Sequence, residues 1–72
     1  MKLIDFIELA MDDYYKINIF YTNTGEELIH QKEVGKIIDY MYENNLNDIL
    51  YHDIASWDIC EENNNEFCVN VD

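Results

Sequence analysis

The chain has 72 residues and a formal net charge of −12, with sixteen acidic residues against four lysines and no arginine. This length fits one small domain, residues 1–72, with a thin core and little room for a deep active-site cleft. The acidity argues against direct binding to nucleic acid or to an anionic membrane, because both need basic side chains. No apolar run approaches the roughly 20 residues that cross a bilayer, so we expect a protein of the bacterial cytoplasm.

The first element in the chain is predicted to be an amphipathic helix over residues 2–12. Apolar residues recur there at three- and four-residue spacing, which is typical of one buried helix face. Three acidic residues, Asp5, Glu8 and Asp12, fall in a narrow stripe on the opposite side. The sequence therefore predicts an acidic ridge along this helix.

A β-hairpin is predicted to follow the helix. The period changes to two from Tyr15 to Tyr21, which indicates a strand. Residues 22–25 are typical of a turn, because asparagine and glycine adopt left-handed backbone at low cost. A second strand is predicted over residues 27–31, with Leu28 on one face and Ile29 on the other.

The second half of the chain predicts another helix and another hairpin. Residues 33–42 match the helical template, and two asparagines follow as a stop signal. Residues 48–55 fit either a short strand or an irregular segment. Alternation in residues 57–60 and 67–71 predicts a terminal hairpin, whose three-asparagine loop would set Cys60 opposite Cys68.

The order α-β-β-α-β-β predicts an α+β fold, a two-layer sandwich with an antiparallel sheet and two helices. The helices must cover the sheet, because their apolar stripes need a partner surface. The predicted core comprises Leu3, Ile7, Met11, Ile17, Ile19, Leu28, Val34, Ile37, Ile38, Met41, Trp57, Ile59, Phe67, Val69 and Val71.

The cysteines and histidines do not have the spacing of a metal site. Structural zinc sites pair ligands two to four residues apart, whereas seven residues separate Cys60 from Cys68 and twenty-one separate His30 from His52. No glycine-rich phosphate-binding motif or nucleophile motif occurs. We therefore expect no metal, no cofactor and no enzymatic activity.

The surplus acids and an exposed tyrosine predict a surface for a basic partner. Tyr40 and Tyr42 cannot both lie under the apolar stripe of the second helix, so at least one faces outward. Exposed tyrosine is a common anchor in protein interfaces. The predicted partner-binding residues are Asp5, Glu8, Asp12, Asp13, Tyr40, Glu61, Glu62 and Glu66.

A short, arginine-free, acidic α+β chain with a TGEEL hairpin from Thr24 to Leu28 resembles small proteins of phages and mobile elements. Among them, acidic anti-CRISPR inhibitors and other DNA mimics are similar in size and charge. The resemblance implies a non-enzymatic inhibitor that blocks the basic nucleic-acid-binding surface of a host nuclease, such as a CRISPR effector. It assigns no residue a role. The alternative is a small structural or adaptor module that acts through homodimerisation or other protein contacts, since a thin core gains buried area from an edge strand.

Overall fold

The computed structural model describes residues 1–9, 15–59 and 66–72. They form two α-helices, a short 3₁₀ helix and a four-stranded sheet. In chain order the elements are α1 (Leu3–Leu9), β1 (Lys16–Tyr21), β2 (Glu27–Glu33), α2 (Val34–Glu43), the 3₁₀ helix (Asn47–Tyr51), β3 (Ile54–Ile59) and β4 (Glu66–Val71). The predicted α+β class and element order are confirmed, and no helix in these ranges is long and apolar enough to cross a membrane.

The sheet is mixed, which corrects the prediction of a purely antiparallel sheet. Its strand order is β2-β1-β4-β3. Each hairpin is antiparallel, but β1 and β4 pair in parallel at the centre. Sequence periodicity identifies the two hairpins and not the way they meet. The connection from β2 to β3, through α2 and the 3₁₀ helix, leads from one edge of the sheet to the other.

Side chains along the two central strands, β1 and β4, point alternately to a face covered by the helices and to a face with polar residues. Ile17 and Ile19 of β1 pair in register with Phe67 and Val69 of β4, and all four are buried. Both helices and the 3₁₀ helix contribute to the same core, so they lie on this face of the sheet. The core thus sits between one layer of helices and one layer of strands.

Strand β2 places its isoleucine in the core, which corrects the predicted burial of Leu28. Ile29 is 2% exposed and pairs with Ile19, whereas Leu28 is only partly buried at the core's edge. The pairing with β1 shifts register twice, and Gln31, which lies in the irregularity between Ile17 and Ile19, has φ +49°. The alternation of Leu28, Ile29 and His30 is as predicted, but the side that faces the core is that of Ile29.

Helix α2 confirms its prediction to within one residue at each end. Val34, Ile37 and Met41 are buried, while Ile38 is only partly so. At the C-terminal end, the Asn44 amide donates to the Tyr40 carbonyl and Asn45 adopts φ +58°. The asparagine stop signal is therefore confirmed.

The segment that the sequence left ambiguous contains the 3₁₀ helix and the beginning of β3. Ile49 and Leu50 are buried there, at 5% and 0% exposure. They were missed as core residues because a single short turn gives no measurable period. Phe6 of α1 is also buried and was not among the predicted core residues. Met11, another predicted core residue, lies outside the described residues.

The terminal hairpin is present, but its register and burial differ from the prediction. Cys68 lies opposite Asp58 instead of Cys60, a shift of two residues. A two-residue shift preserves the face of each side chain, so the alternation was correct while the loop length was not. Trp57 and Ile59 are 52% and 45% exposed, because β3 is an edge strand that the helices only partly cover.

Candidate functional site

Helix α1 presents part of the acidic ridge that the sequence predicts. The residues it buries are Leu3, Phe6 and Ile7. Asp5 and Glu8 are exposed, because the helical period turns them away from the buried stripe. The outward position of these two carboxylates is confirmed. Asp12 and Asp13 lie outside the described residues.

Helix α2 and the 3₁₀ helix add three exposed carboxylates that sequence analysis did not single out. Asp39 and Glu43 lie four residues apart on α2, away from buried Ile37 and Met41. Asp48 is exposed on the 3₁₀ helix. The periodicity that predicts the core of α2 also contained the signal for Asp39 and Glu43, since residues four apart share one helix face.

These carboxylates belong to one layer of the molecule. Helices α1 and α2 both contact the 3₁₀ helix and pack on the same side of the sheet. We call the exposed carboxylates of this layer the acidic helical face. Its members are Asp5, Glu8, Asp39, Glu43 and Asp48.

The lysines near this layer pair with other acids. The Lys2 ammonium lies 3.7 Å from a carboxylate oxygen of Asp53, and the Lys36 ammonium lies 3.8 Å from one of Glu33. Within residues 1–9, 15–59 and 66–72, no carboxylate of the acidic helical face forms an ion pair. Their carboxylate oxygens are therefore free of direct contact with the described cations and remain accessible to a basic partner.

Acidic residues also lie on the sheet and its turns, so the surplus charge is not confined to one layer. Glu27 pairs with the His30 imidazole at 3.1 Å. Glu26, Asp58 and Asp72 are exposed. The helical layer differs from the rest in that its exposed carboxylates come from two α-helices that both pack against the 3₁₀ helix.

Tyrosines of α2 take different positions from the one predicted. Tyr40, the predicted partner-binding tyrosine, is partly buried against the core, with the Lys32 ammonium 4.4 Å from its ring centre. The outward tyrosine is Tyr42, 52% exposed, beside Tyr51 of the 3₁₀ helix at 53%. A side-chain hydrogen bond to Tyr51 raises the pKa of Tyr42 above its ordinary value, because ionisation of Tyr42 would weaken that bond. This pair places two aromatic rings on the helical layer.

Glu66 is the first residue of β4 and is only 7% exposed. Glu66 was predicted to be a partner-binding residue, which requires an exposed carboxylate, and its burial corrects that prediction. Its Oε1 accepts hydrogen bonds from Asn18 Nδ2 at 2.7 Å and from Gln31 Nε2 at 3.4 Å. The backbone amide of Gln31 in turn donates to Asn18 Oδ1 at 3.0 Å. Buried carboxylates are retained where hydrogen bonds compensate for lost hydration. This carboxylate links β4 to β1 and β2.

Glu61 and Glu62, predicted to belong to the binding surface, lie outside the described residues, as does Cys60. In the part of the chain that is described, no three histidine, cysteine or acidic side chains are grouped closely enough to hold a metal ion. What the described residues offer is an exposed, multivalent anionic surface with two tyrosine rings, which suits electrostatic protein binding.

Comparison with known proteins identifies no relative: no family model, no curated protein and no solved structure matches this chain.

Proposed function

We propose that this chain is a non-enzymatic acidic binding protein of the DNA-mimic type. Its acidic helical face occupies the basic nucleic-acid-binding surface of a host nuclease and excludes DNA from it. The supporting observation is that Asp5, Glu8, Asp39, Glu43 and Asp48 are exposed on one packed layer and form no ion pair with any described residue.

The spacing of these carboxylates supports the proposal. Along α1, residues three apart rise by roughly 4.5 Å, and along α2, residues four apart rise by roughly 6 Å. Phosphates on one DNA strand are about 3.4 Å apart along the duplex axis. A groove of lysines and arginines built for phosphates therefore meets a comparable, although sparser, row of negative charge.

The tyrosine pair adds a second kind of contact to the same layer. Tyr42 and Tyr51 are each about half exposed, and they are close enough for Tyr51 to raise the pKa of Tyr42. Nucleic-acid-binding surfaces carry arginine side chains, which stack on aromatic rings. Charge supplies attraction at a distance, and the rings supply contact area.

A DNA displacement assay tests the proposal. An RNA-guided CRISPR effector nuclease is loaded with fluorescent duplex DNA, and the chain is titrated in at low salt. We expect the chain to displace the DNA. Replacing the acidic helical face by its neutral amides (Asp5→Asn, Glu8→Gln, Asp39→Asn, Glu43→Gln, Asp48→Asn) should weaken displacement at least tenfold, because charge complementarity is lost.

The matched control removes the same number of charges from the sheet, its turns and the C-terminal residue. Its substitutions are Glu26→Gln, Glu27→Gln, Asp53→Asn, Asp58→Asn and Asp72→Asn. We expect this variant to displace DNA nearly as well as the wild type. If both variants lose displacement activity equally, the total charge of the chain and not the acidic helical face is responsible. If the wild type displaces no DNA, the chain does not inhibit this nuclease.

A further inference from the structure

Among residues 1–9, 15–59 and 66–72, no strand pairs with the outer edge of β3 beyond Ile54. β3 is the last strand in the sheet order, and residues 55–59 are all exposed. A strand in this position presents unpaired amides and carbonyls along its free side. Such an edge accepts another extended segment by forming a new ladder of hydrogen bonds.

The free stretch of this edge has defined limits. At its beginning, the Ile54 amide donates to the Met1 carbonyl at 2.8 Å and the Leu3 amide donates to the His52 carbonyl at 3.0 Å. The N-terminal segment thus covers the edge up to Ile54. Further along, the Ile59 amide donates to Asp58 Oδ1 at 2.8 Å, a local bond that a pairing strand would replace.

An apolar surface adjoins the free edge. Trp57 and Ile59 face the same side of the sheet as the core, opposite Val69 and Phe67, yet they are 52% and 45% exposed. A cavity of about 230 Å³ lies beside Trp57 and is lined by Met1, Phe6, Leu9 and Trp57. Exposed apolar area of this kind, next to an unpaired strand edge, is typical of an interface.

Charge distinguishes this edge from the rest of the molecule and indicates its partner. Residues 54–59 contain one ionisable side chain, Asp58, in a chain of net charge −12. A basic partner would gain little here compared with the acidic helical face. The same edge of a second copy of this chain, related by a two-fold axis, would place apolar side chains against apolar side chains.

We propose that β3 pairs antiparallel with β3 of a second copy of this chain, with the two-fold axis at Trp57. This register sets the two Trp57 residues opposite each other and sets Ser56 of each copy opposite Asp58 of the other. Moving the axis to Asp58 would place two carboxylates face to face, which is unfavourable for a cross-strand pair. The proposal does not depend on the proposed function, because it uses a different surface.

The dimer is expected to be weak. Stable interfaces bury about 800 Å² on each partner, which is about a sixth of this chain's surface of 4738 Å². One short strand and a few apolar side chains supply less than that, so we expect dissociation in the micromolar range or above.

Sedimentation and fluorescence on the wild-type chain test the dimer directly. Sedimentation equilibrium across micromolar to millimolar concentrations should show the mass rising from one chain towards two. Trp57 is the only tryptophan, so its emission should shift to shorter wavelength over the same range as it leaves water. A mass of one chain throughout, with unchanged emission, overturns the proposal.

A matched pair of variants locates the interface. Trp57→Lys should raise the dissociation constant at least tenfold. The control is Tyr42→Lys, because Tyr42 has the same exposed fraction of 52% but lies on the helical layer; it should leave dimerisation unchanged. Equal weakening by both substitutions overturns the β3 interface in favour of another surface, and circular dichroism verifies that both variants fold.

Salt separates this interface from electrostatic binding. Backbone hydrogen bonds and apolar contacts resist screening, whereas repulsion between two chains of charge −12 is reduced by it. Added salt should therefore maintain or strengthen the dimer. A dimer that dissociates as salt rises overturns the proposal and leaves the proposed function untouched.

Discussion

The helical layer and strand β3 expose their side chains for different physical reasons. The helical layer buries a complete apolar stripe and turns its carboxylates, such as Asp39 and Glu43, to solvent. Strand β3 instead leaves Trp57 and Ile59 half exposed on the core-facing side. The first surface is multivalent and charged, and the second is apolar with an open backbone edge. We therefore expect binding at these two surfaces to respond in opposite ways to salt.

The largest expected effect concerns the 3₁₀ helix that joins the helical layer. Leu50 is fully buried there. Leu50→Ala should lower the free energy of unfolding by about 2–5 kcal/mol, because it removes packed methyl groups and leaves a cavity. Urea denaturation measures the change. The neighbouring substitution Tyr51→Ala, at a position 53% exposed, should cost less than about 1 kcal/mol; similar losses would contradict the role of Leu50 as a core residue.

The next effect concerns the polar side of the sheet, which neither proposed interface uses. Asn18 is 4% exposed and bonds to Glu66 and to the Gln31 amide. Asn18→Ala should cost about 1–3 kcal/mol, because it leaves buried polar groups without their partner. The control Asn70→Ala removes an exposed bond to Ser56 and should cost less in the same denaturation experiment. A greater loss for Asn70→Ala would contradict this ranking.

A smaller effect is expected at the turn between β1 and β2, which belongs to neither proposed surface. Gly25 has φ +71°, and a methyl group added there would meet nothing within 4 Å. Gly25→Ala should therefore cost only about 1 kcal/mol, from backbone strain alone. Thermal unfolding measures this, and Gly25→Asn should cost less, since asparagine tolerates this backbone. Nuclease binding and dimerisation should both remain as in the wild type.

The smallest effect concerns proton binding by the tyrosine pair. The raised pKa of Tyr42 means that the folded chain holds the phenolic proton more firmly than the unfolded chain. This contribution to stability is fully present below the unfolded pKa of about 10, and it is lost as pH rises through the folded value. Carbon-13 NMR titration of the tyrosine Cζ atoms, with the Tyr42 signal assigned by Tyr42→Phe, should show Tyr42 ionising at lower pH after Tyr51→Phe. An unchanged midpoint for the Tyr42 signal would contradict the influence of Tyr51.

The sequence predicted elements well where one periodic signal covered a whole segment. Helix α2 and the burial of Ile37 and Met41 followed from spacing alone. In β2, Ile29 and not Leu28 is buried, because Ile29 pairs with Ile19 on the core side of β1. This pairing is a contact between strands, and the local pattern of β2 does not specify it.

Local sequence patterns did not predict the order of the strands in the sheet or how far the helices cover each strand. Alternation placed Trp57 and Ile59 on the core side of β3, but their exposure follows from the position of β3 at the sheet edge. The parallel pairing of β1 and β4 is likewise a long-range choice.

The candidate site was predicted only in part. The acids of α1 followed from helical period, whereas the grouping of Asp39, Glu43 and Asp48 with them depends on how α1, α2 and the 3₁₀ helix pack. Glu66 was misplaced because its partners, Asn18 and Gln31, are distant in sequence.

The most direct test of the central claim is the salt dependence of binding to the nuclease, measured for the wild type and the two five-substitution variants. The dissociation constant of the wild type should rise steeply with salt concentration, since screening weakens interactions between exposed charges. Neutralising the acidic helical face should flatten that dependence, while the sheet-side control should keep it. An equally steep dependence in the helical-face variant would contradict the claim that this face carries the binding.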